Sequence, residues 1–165
     1  MPEKKTIERA TKAKREGKSA STQAGEFVRE EIHHVREGKH GARSAKQAIA
    51  IGLSKARRAG VKLAAPEKGT APAETRHRAE KDIEAGRHRK KSVSPTRSRA
   101  TRRVLEQEGH AAASATALSR QAHGAAKKRS AADRSAAAKK AARTKGPAKR
   151  SAAAKKAART REHGD

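Results

Sequence analysis

The large apolar side chains of this chain are few, and they gather near its start. Nine of the sixteen lie between residues 27 and 63, and none follows Leu118. Within that stretch Val28, Ile32 and Val35 fall at i, i+4 and i+7 with Phe27 beside them, which makes one apolar helix face. Gly38 is placed to end that helix in a left-handed position. A second helix opens at Ser44-Ala45-Lys46-Gln47, the S-x-x-Q pattern in which hydroxyl and amide satisfy the first-turn N–H groups. Ile49, Leu53 and Ala56 supply its face, and Gly60 closes it. Gly52 inside it costs about 1 kcal/mol of helix propensity, which a close approach of the partner helix would offset. Val61 and Leu63 are placed to fold back over the end. The connection across residues 38–43 is longer than the 3–4 residue turn of a DNA-reading helix-turn-helix, so the pattern predicts an antiparallel helical hairpin over residues 21–63.

Flanking segments read differently. Residues 1–20 form a basic N-terminal helix or arm. Residues 64–74, bearing Ala, Pro and Gly, read as a linker. Over residues 75–124 a faint repeat of the first part appears. Thr6, Arg9, Ala10, Lys12 and Gly17 recur 69 positions later as Thr75, Arg78, Ala79, Lys81 and Gly86. At an offset of 70, His40, Ser44, Ala45 and Ala56 recur as His110, Ser114, Ala115 and Ala126. Ser119, Gln121 and His123 replace the bulky Ile49, Ile51 and Leu53, so this second unit is expected to be helical without packing on its own. Within it Ser94-Pro95-Thr96-Arg97 resembles the S-P-x-(K/R) turns of linker-histone tails. It reads better as a Ser cap with Pro at the first helical position, opening a helix that runs through Val104 and Leu105 to Gly109.

The final segment, residues 125–165, carries an exact repeat. Residues 134–144 return 16 positions later as 150–160, with Gly146-Pro147 breaking the helix between the copies. Lys139, Lys140 and Arg143 lie at i, i+1 and i+4, one basic face on an otherwise Ala-rich cylinder, and Lys155, Lys156 and Arg159 repeat it. Such short helices are marginal alone in water, so folding on binding is the natural expectation.

Composition narrows the classes. The chain has 165 residues, no Cys, Trp or Tyr, and 43 Lys+Arg against 17 Asp+Glu, a formal net charge of +26. Of the residues counted as hydrophobic 38 are Ala, so Leu, Ile, Val and Phe together are about 9% of the chain, far below what a large core needs. The expected fold is therefore all-α, a short N-terminal helical hairpin followed by extended, largely disordered or conditionally helical basic segments. No apolar run approaches the ~18 residues of a membrane span, and no secretory signal is legible at the N-terminus. The absence of Cys removes disulfides and thiolate chemistry and suits a reducing compartment.

No catalytic pattern is present: there is no Ser/His/Asp motif and no Gly-rich phosphate loop. Eight histidines raise the question of a metal, and Glu30, His33 and His34 lie within one helical turn. There is no HExxH, however, and neighbouring histidines on a helix diverge by ~100°. The expectation is no enzyme, no cofactor and no metal.

What the residues do point to is polyanion binding. Residues 125–165 hold 14 basic and 3 acidic groups, the highest net charge of any segment. The candidate contacts are Lys127, Lys128, Arg129, Arg134, Lys139, Lys140, Arg143, Lys145, Lys149, Arg150, Lys155, Lys156, Arg159 and Arg161. Each phosphate they neutralise releases counterions, at a log-log salt slope of about −0.9. Contacts of this kind position a protein without reading sequence, and the lack of aromatic stacking residues disfavours single-strand or RNA recognition. Lys46, Lys55, Arg57 and Arg58 on the second hairpin helix, with Lys39, His40 and Arg43 in the turn before it, are a second candidate patch.

Two stretches carry resemblances. Residues 26–63, with Phe27-Val28-Arg29-Glu30-Glu31 and the run from Lys46-Gln47-Ala48-Ile49 to Arg57-Arg58-Ala59-Gly60, resemble a small bacterial domain family of unknown function. Its members are often labelled hypothetical, DNA-binding or plasmid-stabilisation proteins. The Lys/Ala-rich tail is similar to bacterial linker-histone-like proteins, which implies DNA compaction and transfers no site residue. The expected function is sequence-nonspecific binding of duplex DNA by a histone-like, nucleoid-associated protein of the bacterial cytoplasm. The alternatives are an RNA- or ribosome-associated basic protein or polyanion chaperone, or an interaction hairpin that self-associates through Phe27, Val28, Ile32, Ile49 and Leu53 and uses the tail as a tether.

Overall fold

A computed structural model describes residues 2–88 and 94–162. Val93, one of the sparse apolar residues, lies outside them, as does Met1. The described residues form seven α-helices and no strand: α1 (Lys4–Arg15), α2 (Ala20–Arg36), α3 (Ala45–Arg58), α4 (Ala73–Arg87), α5 (Pro95–Glu106), α6 (Ala115–Lys127) and α7 (Ala131–Glu162), with a 3-10 turn at Ala111–Ala113. The chain divides into two units, residues 1–121 and 122–165.

In the first unit the helices pack in chain order. α2 lies against α1 and α3, and α3 against α2 and α4. The pair α2–α3 is thus the inner pair of a four-helix layer rather than a hairpin standing alone. One repeated device ends the first three helices. Gly17, Gly38 and Gly60 take positive φ, and the next residue donates back five positions, from Lys18 to Ala13, Lys39 to His34 and Val61 to Ala56. At its start α3 has the reciprocal cap, with the Gln47 N–H on Ser44 Oγ at 3.2 Å and the Arg43 N–H on Gln47 Oε1 at 2.8 Å.

Two small cores result. Phe27 sits with Ala10, Ala24 and Ala56, covered by Leu53, Val61 and Leu63; Ile32 and Val35 sit with Ala42, Ala48, Ala112 and Ala113, covered by Val28 and Leu118. Ten of the thirteen buried hydrophobic residues among those described are Ala, so the cores depend on helices approaching closely. Gly52 permits this for α2, and Gly86 of α4 does the same at the Arg57 carbonyl that ends α3. Residues 105–113 dock on the turn after α2 through Gly41 N–H to Leu105 O (2.8 Å) and Ala42 N–H to Gly109 O (3.0 Å). Arg36 adds a bond to Ala113 O at 2.8 Å.

The offset of 69–70 residues reappears in helix boundaries. α2 ends at Arg36 and α5 at Glu106; α3 begins at Ala45 and α6 at Ala115; Ala10 and Ala79 are both buried. In α5 and α6 no residue is buried. Pro95 does open α5 at its first position, although Ser94 makes no side-chain cap.

Of the expectation that the basic segments are extended and largely disordered or conditionally helical, the disorder is corrected: helix runs through most of residues 95–162. Local energetics account for it. Ala, Lys and Arg are among the strongest helix formers. The start of α7 is also capped, Ser130 Oγ accepting from Asp133 N–H at 3.1 Å and donating to Asp133 Oδ2 at 2.6 Å. A negative side chain at that end further suits the helix dipole. Gly146, at φ 68° and ψ 166°, interrupts α7 just before Pro147.

Candidate nucleic-acid interface

All fourteen tail cations, from Lys127 to Arg161, are exposed, and none makes an ion pair among the described residues. Their arrangement is two-sided. On a helix turning about 100° per residue, Lys139, Arg143 and Lys140 occupy roughly 100° of one side, while Arg134 and Lys145 fall together on the other. Lys155, Arg159 and Lys156 repeat the first group, with Arg150 and Arg161 opposite. Each copy thus offers three cations on one side and two on the other, separated by Ala.

The four-residue patch on α3 is mostly engaged inside the protein. Lys55 Nζ binds the carboxylate of Glu31, whose side chain is wholly buried. Arg57 is buried and ties the end of α3 to the following segment, donating to Leu63 O at 3.3 Å and Ala64 O at 3.1 Å. That burial pushes its guanidinium below the ordinary arginine value, and Asp82 nearby offsets part of the effect. Arg58 bonds Asp82 of α4 at 2.7 Å. Lys46 alone of the four is exposed without a charged partner among the described residues.

Lys46 instead belongs to another grouping. A shallow groove runs between the first turns of α3 and α6, lined by Arg43, Ser44, Lys46, Ser114, Thr116 and Arg120 among others. Ser44 and Ser114 cap the two helices, Ser114 Oγ accepting from Ala117 N–H at 3.2 Å. Lys46 and Arg120, without charged partners among the described residues, and Arg43, paired with Glu108 at 3.4 Å, stand beside two helix N-termini and make the groove electropositive. Reading positions one at a time misses Arg120 and its relation to Arg43. The 70-residue repeat of the Ser cap is the signal that relates them.

Four of the five residues offered for self-association are used within the chain, and Ile49 is half-buried outside both cores. Phe27 and Ile32 are buried, and Val28 and Leu53 pack on the cores. Glu30, His33 and His34 do not converge: His33 is exposed, and Glu30 accepts the Glu3 N–H at 3.3 Å. Among the described residues no helix is long and apolar enough to cross a membrane.

No curated protein and no solved structure matches this chain. Residues 4–68, which hold α1, α2 and α3, match the model of a family of unknown function (DUF6496).

Proposed function

We propose that the protein is a sequence-nonspecific, histone-like binder of duplex DNA that neutralises phosphates and holds duplex segments together, as a nucleoid-associated protein does. The observation that carries this reading is the tail: fourteen exposed cations without ion-pair partners among the described residues, set in a repeated three-and-two pattern. The three-cation side faces one run of phosphates. Arg134, Lys145, Arg150 and Arg161 are left for a second, which favours condensation over simple coating. Positioning contacts of this kind carry no base readout. On the first unit Lys46 and Arg120 in the groove are a better auxiliary contact than the ion-paired Lys55 and Arg58 or the buried Arg57; Arg43 beside them is paired with Glu108 at 3.4 Å.

The test is duplex affinity across a salt series for the full chain and for a variant with Lys139, Lys140, Arg143, Lys155, Lys156 and Arg159 all replaced by Gln. Removing six phosphate contacts should flatten the log-log slope by about 5, at about 0.9 per contact. A slope unchanged by the six substitutions overturns the tail as the binding element. If RNA of equal length competes better than duplex DNA, the partner is RNA instead.

A further inference from the structure

The carboxylate of Glu31 is wholly buried in α2, and its two oxygens meet different neighbours. Oε2 takes the ammonium of Lys55. Oε1 finds no hydrogen bond among the described residues, although His40 Nε2 stands 3.3 Å away. An orphaned carboxylate oxygen at full burial is expensive, and native proteins rarely leave one without a partner.

His40 explains the misalignment. Its Nδ1 lies 3.1 Å from the Gly41 carbonyl, to which Nδ1–H donates. In the neutral ring this leaves Nε2 with a lone pair and no proton, beside an oxygen that also carries only lone pairs. Two acceptors facing one another need a proton or a metal cation between them. A third donor is close, since a nitrogen of His34, one helical turn from Glu31, lies with these atoms in a group spanning at most 4.8 Å.

We infer that Glu31, His34 and His40 form a binding site for a divalent first-row ion of the zinc type. Imidazole nitrogens and a carboxylate oxygen are the donors such an ion takes, each at about 2.0–2.2 Å. Two such donors on one tetrahedral ion stand roughly 3.3 Å apart, the separation of Glu31 Oε1 and His40 Nε2. A shared ion would also draw the lone pairs off the line joining them, which suits a proximity that comes without hydrogen-bond alignment.

The surroundings are those of a ligand set. The Gly41 carbonyl orients His40, Lys55 orients Glu31, and Glu3 Oε1 lies 2.9 Å from His34 Nε2. Metal-binding histidines commonly have a carbonyl or carboxylate of this kind on the ring. The His34 and His40 side chains are 13% and 15% exposed, so an ion can enter without unfolding the helix. Once bound, it would fasten the turn after α2 to α2 itself, and residues 105–109 dock on that turn. This site is independent of the tail and of DNA.

The experiment is calorimetric titration of tag-free full chain with Zn2+, and visible absorption on titration with Co2+. The expected result is one ion per chain and the intense Co2+ bands of a four-coordinate site. His34→Gln and His40→Gln should each weaken Zn2+ binding by at least the ten- to hundredfold seen on losing an outer partner, while His33→Gln, on the exposed side of the same helix, leaves it unchanged. Absence of saturable one-to-one binding by the unsubstituted chain overturns the inference. So does equal weakening by His33→Gln and His40→Gln, which would mark surface histidines acting together. Because the first criterion uses the unsubstituted protein, a variant that fails to fold does not blunt the test.

Discussion

Gly52 of α3 lies so close to Val28 of α2 that a Cβ built on it would stand 2.6 Å from Val28 Cα and 2.9 Å from its amide nitrogen. Atoms of backbone cannot swing aside, so any side chain here must push the two helices apart. The alanine-built cores on both sides depend on that spacing, since Ala24, Ala48 and Ala56 reach their neighbours only when backbones are near.

Gly52→Ala should therefore destabilise the fold although alanine is the better helix former. The propensity gain is about 1 kcal/mol, whereas overpacking against rigid backbone costs about 1–3 kcal/mol, and parting the helices loosens the alanine packing along the whole seam. Gly25 on α2 provides the contrast, being exposed with open space where a Cβ would go. Urea unfolding followed by helical circular dichroism should place Gly52→Ala below the parent and Gly25→Ala at or above it. Equal midpoints for the two variants would refute the close-approach account.

Lys55 and Lys46 are separated by their partners rather than by their helix. Removing Lys55 leaves Glu31 buried without its cation, and breaking a buried pair costs about 3–5 kcal/mol, towards the lower end for a lysine that still touches solvent. Lys55→Met should thus lower the urea midpoint while DNA affinity measured on the folded fraction stays near that of the parent. Lys46→Ala combined with Arg120→Ala should do the reverse, leaving stability within about 0.5 kcal/mol and weakening DNA binding with a slope flatter by about 2. Were Lys55→Met to bind DNA poorly while fully folded, Lys55 would belong to the interface after all.

Ala113 tests whether residues 105–113 are part of the first unit. It is wholly buried against Ile32 and Val35, and its carbonyl accepts from Arg36. Ala113→Leu forces three added carbons into that space and should cost about 1–3 kcal/mol of overpacking. The same change at Ala125 of α6, which is exposed, should be neutral within about 0.5 kcal/mol. Thermal unfolding of the two variants side by side distinguishes them.

Much of the inner pair was legible in its residues because its signals are local. Ser44 with Gln47 specifies a cap, Gly38 and Gly60 specify stops, and Gly52 between apolar positions marks a contact. The packing of α1 and α4 escapes the same reading because their buried faces are Thr6, Ala10, Ala13, Ala79 and Asp82, which a search for bulky apolar positions passes over. Likewise, the start of α2 at Ala20, capped by Ser19, precedes its first large apolar residue by several positions. For the candidate sites the limit is distance along the chain. Lys55 meets Glu31 and Arg58 meets Asp82 across 24 residues each, and nothing in a run of basic residues reveals which of them already have partners.

The break at Gly146 decides how the two tail copies can share a partner. In an uninterrupted helix the 16-residue offset between Lys139 and Lys155 turns the second three-cation face about 160° from the first, onto the opposite side. One duplex could then meet only one of the two faces. Gly146, held at φ 68° where α-helix cannot continue, and Pro147, which lacks the N–H that an unbroken helix would use, free the second copy from that register. Replacing both residues with Ala should raise helical circular dichroism at 222 nm, since both worst helix formers are gone. On a short duplex that admits one bound tail, the same variant should engage about three fewer phosphates and flatten its salt slope by about 3 despite keeping every cation. A slope equal to that of the parent would show that the two copies act without regard to their relative orientation, and the charge count alone would then govern affinity.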